Sequence, residues 1–318
     1  MTDRRTPSSA PEPDAQATDF RPVIFGEALF DHFPDGTRVL GGAPFNVAWH
    51  LNGFKADPLL VTAVGRDREG EEILDRMESW QMDTAGAQVH PTRPTGQVTA
   101  HLEGEQPRFE IQARQAYDGI SIDAFPPYSR LQAGTILYHG TLCLREETSG
   151  KALDFIKNRF RMPRLVDVNL RNPWWDREGV RGLIHGAEWV KVNEEELGLI
   201  SGLPVGSSTE LEAAAGVLRD EMEVGAVFVT MGAKGAMAVT GEENSRVEGL
   251  GVTDVVDTVG AGDAFSAVLA LGIHAKWSLP TILHRASAFA TELCRRRGAT
   301  SLDPGLYIQT LRGWNDAP

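Results

Sequence analysis

The sequence predicts an α/β protein built on an open, mostly parallel sheet flanked by helices. Three observations carry this. Short apolar runs alternate with helical spacings along most of the 318 residues, the rhythm of βα units whose sheet is covered on both faces. Gly26-Glu27, Gly65, Gly140, Asn169, Asn193 and Thr230 each fall just past the carboxyl end of a strand-like run, and in such a sheet those ends share the edge where ligands bind. The stretch Val255-Val256-Asp257-Thr258-Val259-Gly260-Ala261-Gly262-Asp263-Ala264-Phe265 reads as a buried strand, a glycine turn and a helix start.

The elements follow in order. Residues 22–28 are the first expected strand, and a turn-rich piece, Asp31 to Gly36, leads to Gly41-Gly42-Ala43-Pro44. A helix is expected over 46–51, a strand over 59–64, and a helix over 68–80, where Ile73, Leu74, Met77 and Trp80 share one face. Residues 95–117 break the rhythm: Gln97 to Leu102 and Arg108 to Ile111 alternate about Gly104 as a hairpin does. Strands at 136–138, 165–168, 189–192, 226–229 and 237–240 then alternate with helices at 149–160 and 211–218. Two helices, 264–273 and 280–295, finish the pattern.

The chemistry concentrates after Val259. Glycines let backbone N–H groups turn inward without a Cβ in the way, and a helix amino terminus adds unpaired donors and a partial positive charge. Asp263 sits at the mouth of that site, where the same field favours its ionised form and a nearby hydroxyl can pass it a proton. An anion cradle beside a carboxylate base suggests phosphoryl transfer to an alcohol. The simpler alternative is an acid capping a helix after a tight turn.

Composition bounds the setting. The length suits one large domain or two small ones; 42% hydrophobic and 24% charged residues are ordinary for a globular protein. A net charge of −13 argues against nucleic acid and anionic membranes as partners. Only Cys143 and Cys294 occur, so neither a disulfide framework nor a CxxC metal site is available, which fits a reducing cytosol and a cytoplasmic location. No apolar run is long enough to span a bilayer. Residues 1–20 lack a signal-peptide core and read as a disordered tail ahead of a folded domain over 21–318.

Asp257-Thr258-Val259-Gly260-Ala261-Gly262-Asp263 resembles the carboxyl-terminal signature of the ribokinase/PfkB sugar-kinase family, and Gly41-Gly42-Ala43-Pro44 with Asn46-Val47-Ala48 resembles its amino-terminal one, as fructokinase-like members write it. The resemblance spans most of 22–300. It implies a ribokinase-like fold in which strands around 29–40 and 95–117 form a small β-strand lid over the sugar. It implies ATP as phosphoryl donor, Mg²⁺, and often a monovalent cation such as K⁺ beside the anion hole near Asp257. Gly260, Ala261 and Gly262 would be that hole and Asp263 the catalytic base. Asn193-Glu194-Glu195-Glu196 matches the family's Asn-x-x-Glu motif, so Asn193 and Glu196 would steer phosphates and orient Mg²⁺, with helix phase deciding between Glu195 and Glu196. Asn169 would lie near the nucleotide phosphates and Arg171 near the sugar or the transferred group. Thr230, Gly232 and Gly235 would form the triphosphate loop, while Lys234 reads equally well as a solvated lysine. The adenine would sit between that loop and the helix over 287–294. Asp31, Gly41, Gly42, Asn46, Gln97 and Arg171 would meet the sugar. Trp174-Trp175 read as core or interface, with sugar stacking an alternative, and Asp257 could equally hold its turn. Lid edges suggest a homodimer.

Other kinase routes are absent: no GxxxxGK[ST] loop, no HRD or DFG set, no HExxH, and no GxGxxG after the first strand for a dinucleotide enzyme. Gly26-Glu27-Ala28-Leu29-Phe30-Asp31 stands where ribokinases carry Asn-x-Asp, which favours a fructokinase-like reading. The alternatives are a 2-keto-3-deoxygluconate kinase, a nucleoside kinase, or a sugar-binding regulator without catalysis.

Overall fold

The protein is described by a computed structural model over residues 19–103 and 106–316. The expected tail, up to residue 18, lies outside the described residues. In chain order the strands are β1 (Pro22–Phe25), β2 (Leu29–His32), β3 (Arg38–Gly41), β4 (Leu59–Gly65), β5 (Ala87–His90), β6 (Gly96–Glu103), β7 (Gln106–Ile111), β8 (Ile136–His139), β9 (Arg164–Asp167), β10 (Trp189–Asn193), β11 (Ala226–Thr230), β12 (Gly235–Thr240) and β13 (Asn244–Glu248). The helices are α1 (Ala43–Gly53), α2 (Arg68–Ser79), α3 (Tyr128–Gln132), α4 (Glu147–Phe160), α5 (Arg177–Ile184), α6 (Glu194–Ser201), α7 (Ser208–Glu221), α8 (Ala261–His274), α9 (Leu279–Cys294) and α10 (Pro304–Asp316).

Nine strands form one sheet in the order β13-β12-β11-β10-β9-β8-β1-β4-β5. All neighbours are parallel except the β11-β12-β13 meander at one edge. Burial on both faces explains the apolar strand sequences. In β1, Val23 and Phe25 join one hydrophobic cluster while Ile24 joins another, on the opposite face. The second face is built on α1, α8, α9 and α10, with Phe45, Leu51, Phe265, Leu269, Phe289 and Tyr307 among its buried side chains.

The smaller sheet has the order β3-β2-β6-β7, with β2 and β6 parallel and the outer pairs antiparallel. It is the hairpin expected over 95–117 joined to the segment after β1. The elements β5, β13, α3, α5 and α10 were not foreseen. Val255-Val256 is not a strand: it is an irregular segment with the two valines 50% and 61% exposed. Val256 N–H donates to Cys294 O instead of to a sheet neighbour. The segment is tied to the end of α9 instead, where the Asp257 N–H also donates to Cys294 O. Among the described residues no helix is long and apolar enough to cross a membrane.

Candidate active site

A cavity of about 1270 Å³ runs along the carboxyl ends of the parallel strands, beneath the small sheet. It brings together almost every residue singled out from the sequence. Asp31, Gly41, Gly42, Asn46 and Arg171 line one end; Asn193, Glu196, Thr230, Gly232 and Gly235 line the other, with Asn169, Asp257, Gly260, Ala261, Gly262 and Asp263 between them. Ser287, Ala290, Thr291 and Cys294 on α9 close the far end.

The middle of the cavity is set by the amino terminus of α8. Gly260 has φ 79° and caps the helix, and a Cβ there would meet Ala299 Cα at 2.5 Å. Only glycine fits that turn. No side chain caps the helix, so its first-turn amides face the cavity end without intrahelical acceptors. The Ala261 N–H donates to Thr258 O at 3.3 Å and is thereby partly engaged within the turn.

Asp263, in that first turn, is half-buried. Burial pushes its carboxyl from 3.8 up to about 6; the hydrogen bond from Asn46 opposes this, Asp167 reinforces it, and Lys191 and Arg171 oppose it. Asn46 Nδ2 donates to Asp263 Oδ2 at 2.8 Å, linking α1 to α8. The sequence reading put Asn46 against the sugar; in the structure its amide holds the carboxylate. A carboxyl near pH 6 beside unpaired amides can accept a hydroxyl proton at neutral pH while an anion rests on the helix end.

Two further carboxyls surround Arg171. Asp31 on β2 rises to about 6 through burial, with Arg171 and His32 opposing. Glu27, at the end of β1, is 4% exposed and rises to about 7 through burial, opposed by the Glu27 and Ala43 backbone amides and by Arg171. Its Oε2 has no hydrogen-bond partner. Sequence reasoning placed Glu27 at the ligand edge but gave it no role.

At the other end, Asn193 and Glu196 form a reciprocal capping box: Glu196 N–H donates to Asn193 Oδ1 at 2.8 Å, and Asn193 N–H to Glu196 Oε2 at 2.9 Å. Glu196 Oε1 also accepts the Leu170 N–H at 2.8 Å. Helix phase buries Glu196 on the cavity and leaves Glu195 in solvent. Among the described residues no three or more His, Cys, Asp or Glu side chains gather as a metal cage. Glu196 and Asn193 are the residues that could hold a hydrated Mg²⁺ at this end of the cavity. Asp257 holds its loop: Oδ1 accepts the Val259 N–H at 3.0 Å and Oδ2 the Gly298 N–H at 2.9 Å. Lys234 is exposed and pairs with Glu194 at 3.0 Å, as a solvated lysine would.

Three expectations are corrected. Gln97 does not reach the cavity; β6 alternation turns Val98 inward, and Gln97 Nε2 donates to Glu69 Oε2 at 3.0 Å on the other side. Gly65 at the end of β4 and Gly140 just past β8 lie outside the lining; β4 sits toward one side of the sheet, away from the cavity's centre. For Trp174 and Trp175 the core reading holds and only the sugar-stacking alternative falls: both pack against the hydrophobic clusters and line a separate cavity of about 460 Å³, with Trp174 4.3 Å from the Arg145 guanidinium. Lys191 was missed altogether: as one polar residue in a valine-rich strand it carries no motif, yet it is 6% exposed in the lining.

Fold and site define a phosphotransferase of the ribokinase-like class. A model of the pfkB family of carbohydrate kinases matches residues 21–305, and the chain belongs to that family; it is an ATP-dependent sugar kinase. The fructokinase of Klebsiella pneumoniae is 29% identical over 79% of this chain and 84% of that protein. A sugar kinase of Pyrococcus horikoshii superposes with a TM-score of 0.77 at 25% identity, covering 92% of this chain and 98% of that one. The fructokinase of Vibrio cholerae bound to fructose, ADP and calcium shares the fold, with a TM-score of 0.78 at 24% identity over 92% of this chain and 99% of that one.

Proposed function

We propose that this sugar kinase phosphorylates a ketohexose of the fructose type, with Asp263 as general base. The observation that carries the reading is a single cavity whose two ends differ in chemistry and whose waist holds Asp263 at the α8 amino terminus. Asp31, Glu27 and Arg171 offer a polyol both acceptors and donors beneath the small sheet, which acts as a lid. The glycine loop at Gly232 and Gly235, with α9 behind it, suits a nucleotide. The fructose preference is supported by curated relatives named fructokinase at 24–29% identity.

Asp263 accepts the proton of the sugar hydroxyl as its oxygen bonds to the γ-phosphorus of ATP. The bond from that phosphorus to the β,γ-bridging oxygen breaks, and ADP leaves. Negative charge on the transferring group rests on the first-turn amides of α8 through Gly260, Ala261 and Gly262, with Arg171 at the sugar side. Asn193 and Glu196 would hold a hydrated Mg²⁺, which would supply charge neutralisation on the phosphates. A monovalent cation such as K⁺ beside the loop that Asp257 ties, a homodimer through the outer edge of the small sheet, and a cytoplasmic location complete the reading.

The test is a coupled ADP-release assay with fructose, ribose, 2-keto-3-deoxygluconate and a nucleoside, run with Mg²⁺ and with K⁺ present or replaced. Fructose should give the highest kcat/KM, and Asp263→Ala should lower kcat by at least ~10²-fold. A higher kcat/KM for another acceptor overturns the sugar assignment; near-normal turnover in Asp263→Ala overturns the base.

A further inference from the structure

Lys191 and Asp167 are registered partners on neighbouring parallel strands, β10 and β9. Alternation along β10 sends Val190 and Val192 to the cluster on one face of the sheet and Lys191 to the other, beneath α8. The same alternation in β9 separates Val166 from Asp167. Lys191 Nζ donates to Asp167 Oδ1 at 3.1 Å and Oδ2 at 3.2 Å. Asp167 is fully buried, and its Oδ2 also accepts the Tyr138 hydroxyl at 3.1 Å and the Ser266 hydroxyl at 2.7 Å. Ser266 lies on α8, one turn beyond Gly262. On its other side, Lys191 Nζ lies 3.0 Å from where a Cβ on Gly262 would stand. The contacts close a ring from Gly262 to Lys191, Asp167 and Ser266 and back into α8.

We propose that Asp167 and Lys191 are positioning residues for phosphoryl transfer, a buried and charge-balanced floor that seats the first turn of α8 and fixes the charge beneath Asp263. The proposal rests on the reading of Asp263 as the base. Each charge in the pair is buried, so removing one partner leaves the other uncompensated. The groups that bear on Asp263 come from every side: Asn46 on α1, Asp167 on β9, Lys191 on β10, Tyr138 on β8, Glu27 at the end of β1 and Arg171 after β9. Of these, Asp167 opposes ionisation of Asp263 and Lys191 favours it. Neutralising the two halves one at a time should therefore move the base in opposite directions.

The experiment is the pH dependence of kcat for Asp167→Asn, Lys191→Met and the double variant. Asp167→Asn should move the acid limb to lower pH by at least about half a unit, Lys191→Met should move it to higher pH by at least as much, and the double variant should return near the parent. On the acid limb each half-unit is roughly a threefold change in turnover. Single variants that shift in the same direction, or limbs that hold still while the melting temperature falls, overturn the proposal. If Lys191→Met does not fold, an unmoved limb in Asp167→Asn overturns it alone. Asp263→Asn separates the two readings: retained turnover defeats the base assignment and the floor with it, whereas lost turnover with unmoved limbs defeats only the floor.

Discussion

Removing the Asn46 amide should make the enzyme need a higher pH. Asn46 is 4% exposed, and its Nδ2 donates to Asp263 Oδ2 at 2.8 Å. A hydrogen bond to a charged group contributes about 1.5–3 kcal/mol, and this one favours only the ionised carboxylate. At about 1.4 kcal/mol per pKa unit, its loss in Asn46→Ala raises the base by about one to two units. Starting from about 6, the carboxyl would titrate between about 7 and 8. The ionised fraction at pH 7 would fall from about 0.9 to between about 0.5 and 0.1. Water entering the vacated space would favour the smaller shift. The assay is kcat for the sugar from about pH 5.5 to about 9.5 at saturating ATP, where the acid limb reports the base in the complex. Turnover should drop ~2- to 10-fold at neutral pH and recover on the alkaline side. An acid limb displaced by less than about 0.3 unit would refute the role given to Asn46, and an equal loss at every pH would assign it to sugar binding instead.

Asp31→Ala should lower kcat/KM for sugar roughly 10- to 100-fold with little change in the KM for ATP, while Gln97→Ala, whose amide faces Glu69, should leave sugar kcat/KM within about twofold; the reverse ranking in one kinetic series would invert the assigned faces of the small sheet. Glu196→Gln removes the charge and leaves one acceptor oxygen for two backbone amides, so the Mg²⁺ concentration for half-maximal rate should rise several-fold with ATP binding retained; an unchanged Mg²⁺ titration would remove Glu196 from that role. Gly260→Ala forces a side chain into a φ of 79° against Ala299, a strain of about 1–3 kcal/mol before any displacement of the turn, so thermal unfolding should come earlier and kcat should fall; an unshifted melting curve would contradict the packing.

The sequence alone carried the fold class and the centre of the site. Apolar strand runs report burial on both sheet faces wherever the sheet lies, and the strand-end rule needs only sequence order, which is why Asn169, Asn193 and Thr230 were placed on the cavity edge while Gly65 and Gly140, judged by the same rule, were not distinguished from them. The glycine turn was legible for a similar reason: φ 79° at Gly260 is a local demand that the residue type states outright. What the sequence did not determine depends on phase, register and neighbours. Whether Val98 or Gln97 faces the cavity is a one-residue matter of strand register, and Glu196 rather than Glu195 is a matter of helix phase. Val255 and Val256 had strand-like residues, but the Val256 N–H bonds to Cys294 O at the end of α9 and both side chains stay exposed. The Asn46 to Asp263 bond joins residues 217 apart, and the Asp167 to Lys191 pair joins residues 24 apart through parallel-strand register. Such pairs leave no local pattern, because what makes each residue charged or bonded in the folded state is a partner brought to it only by tertiary packing.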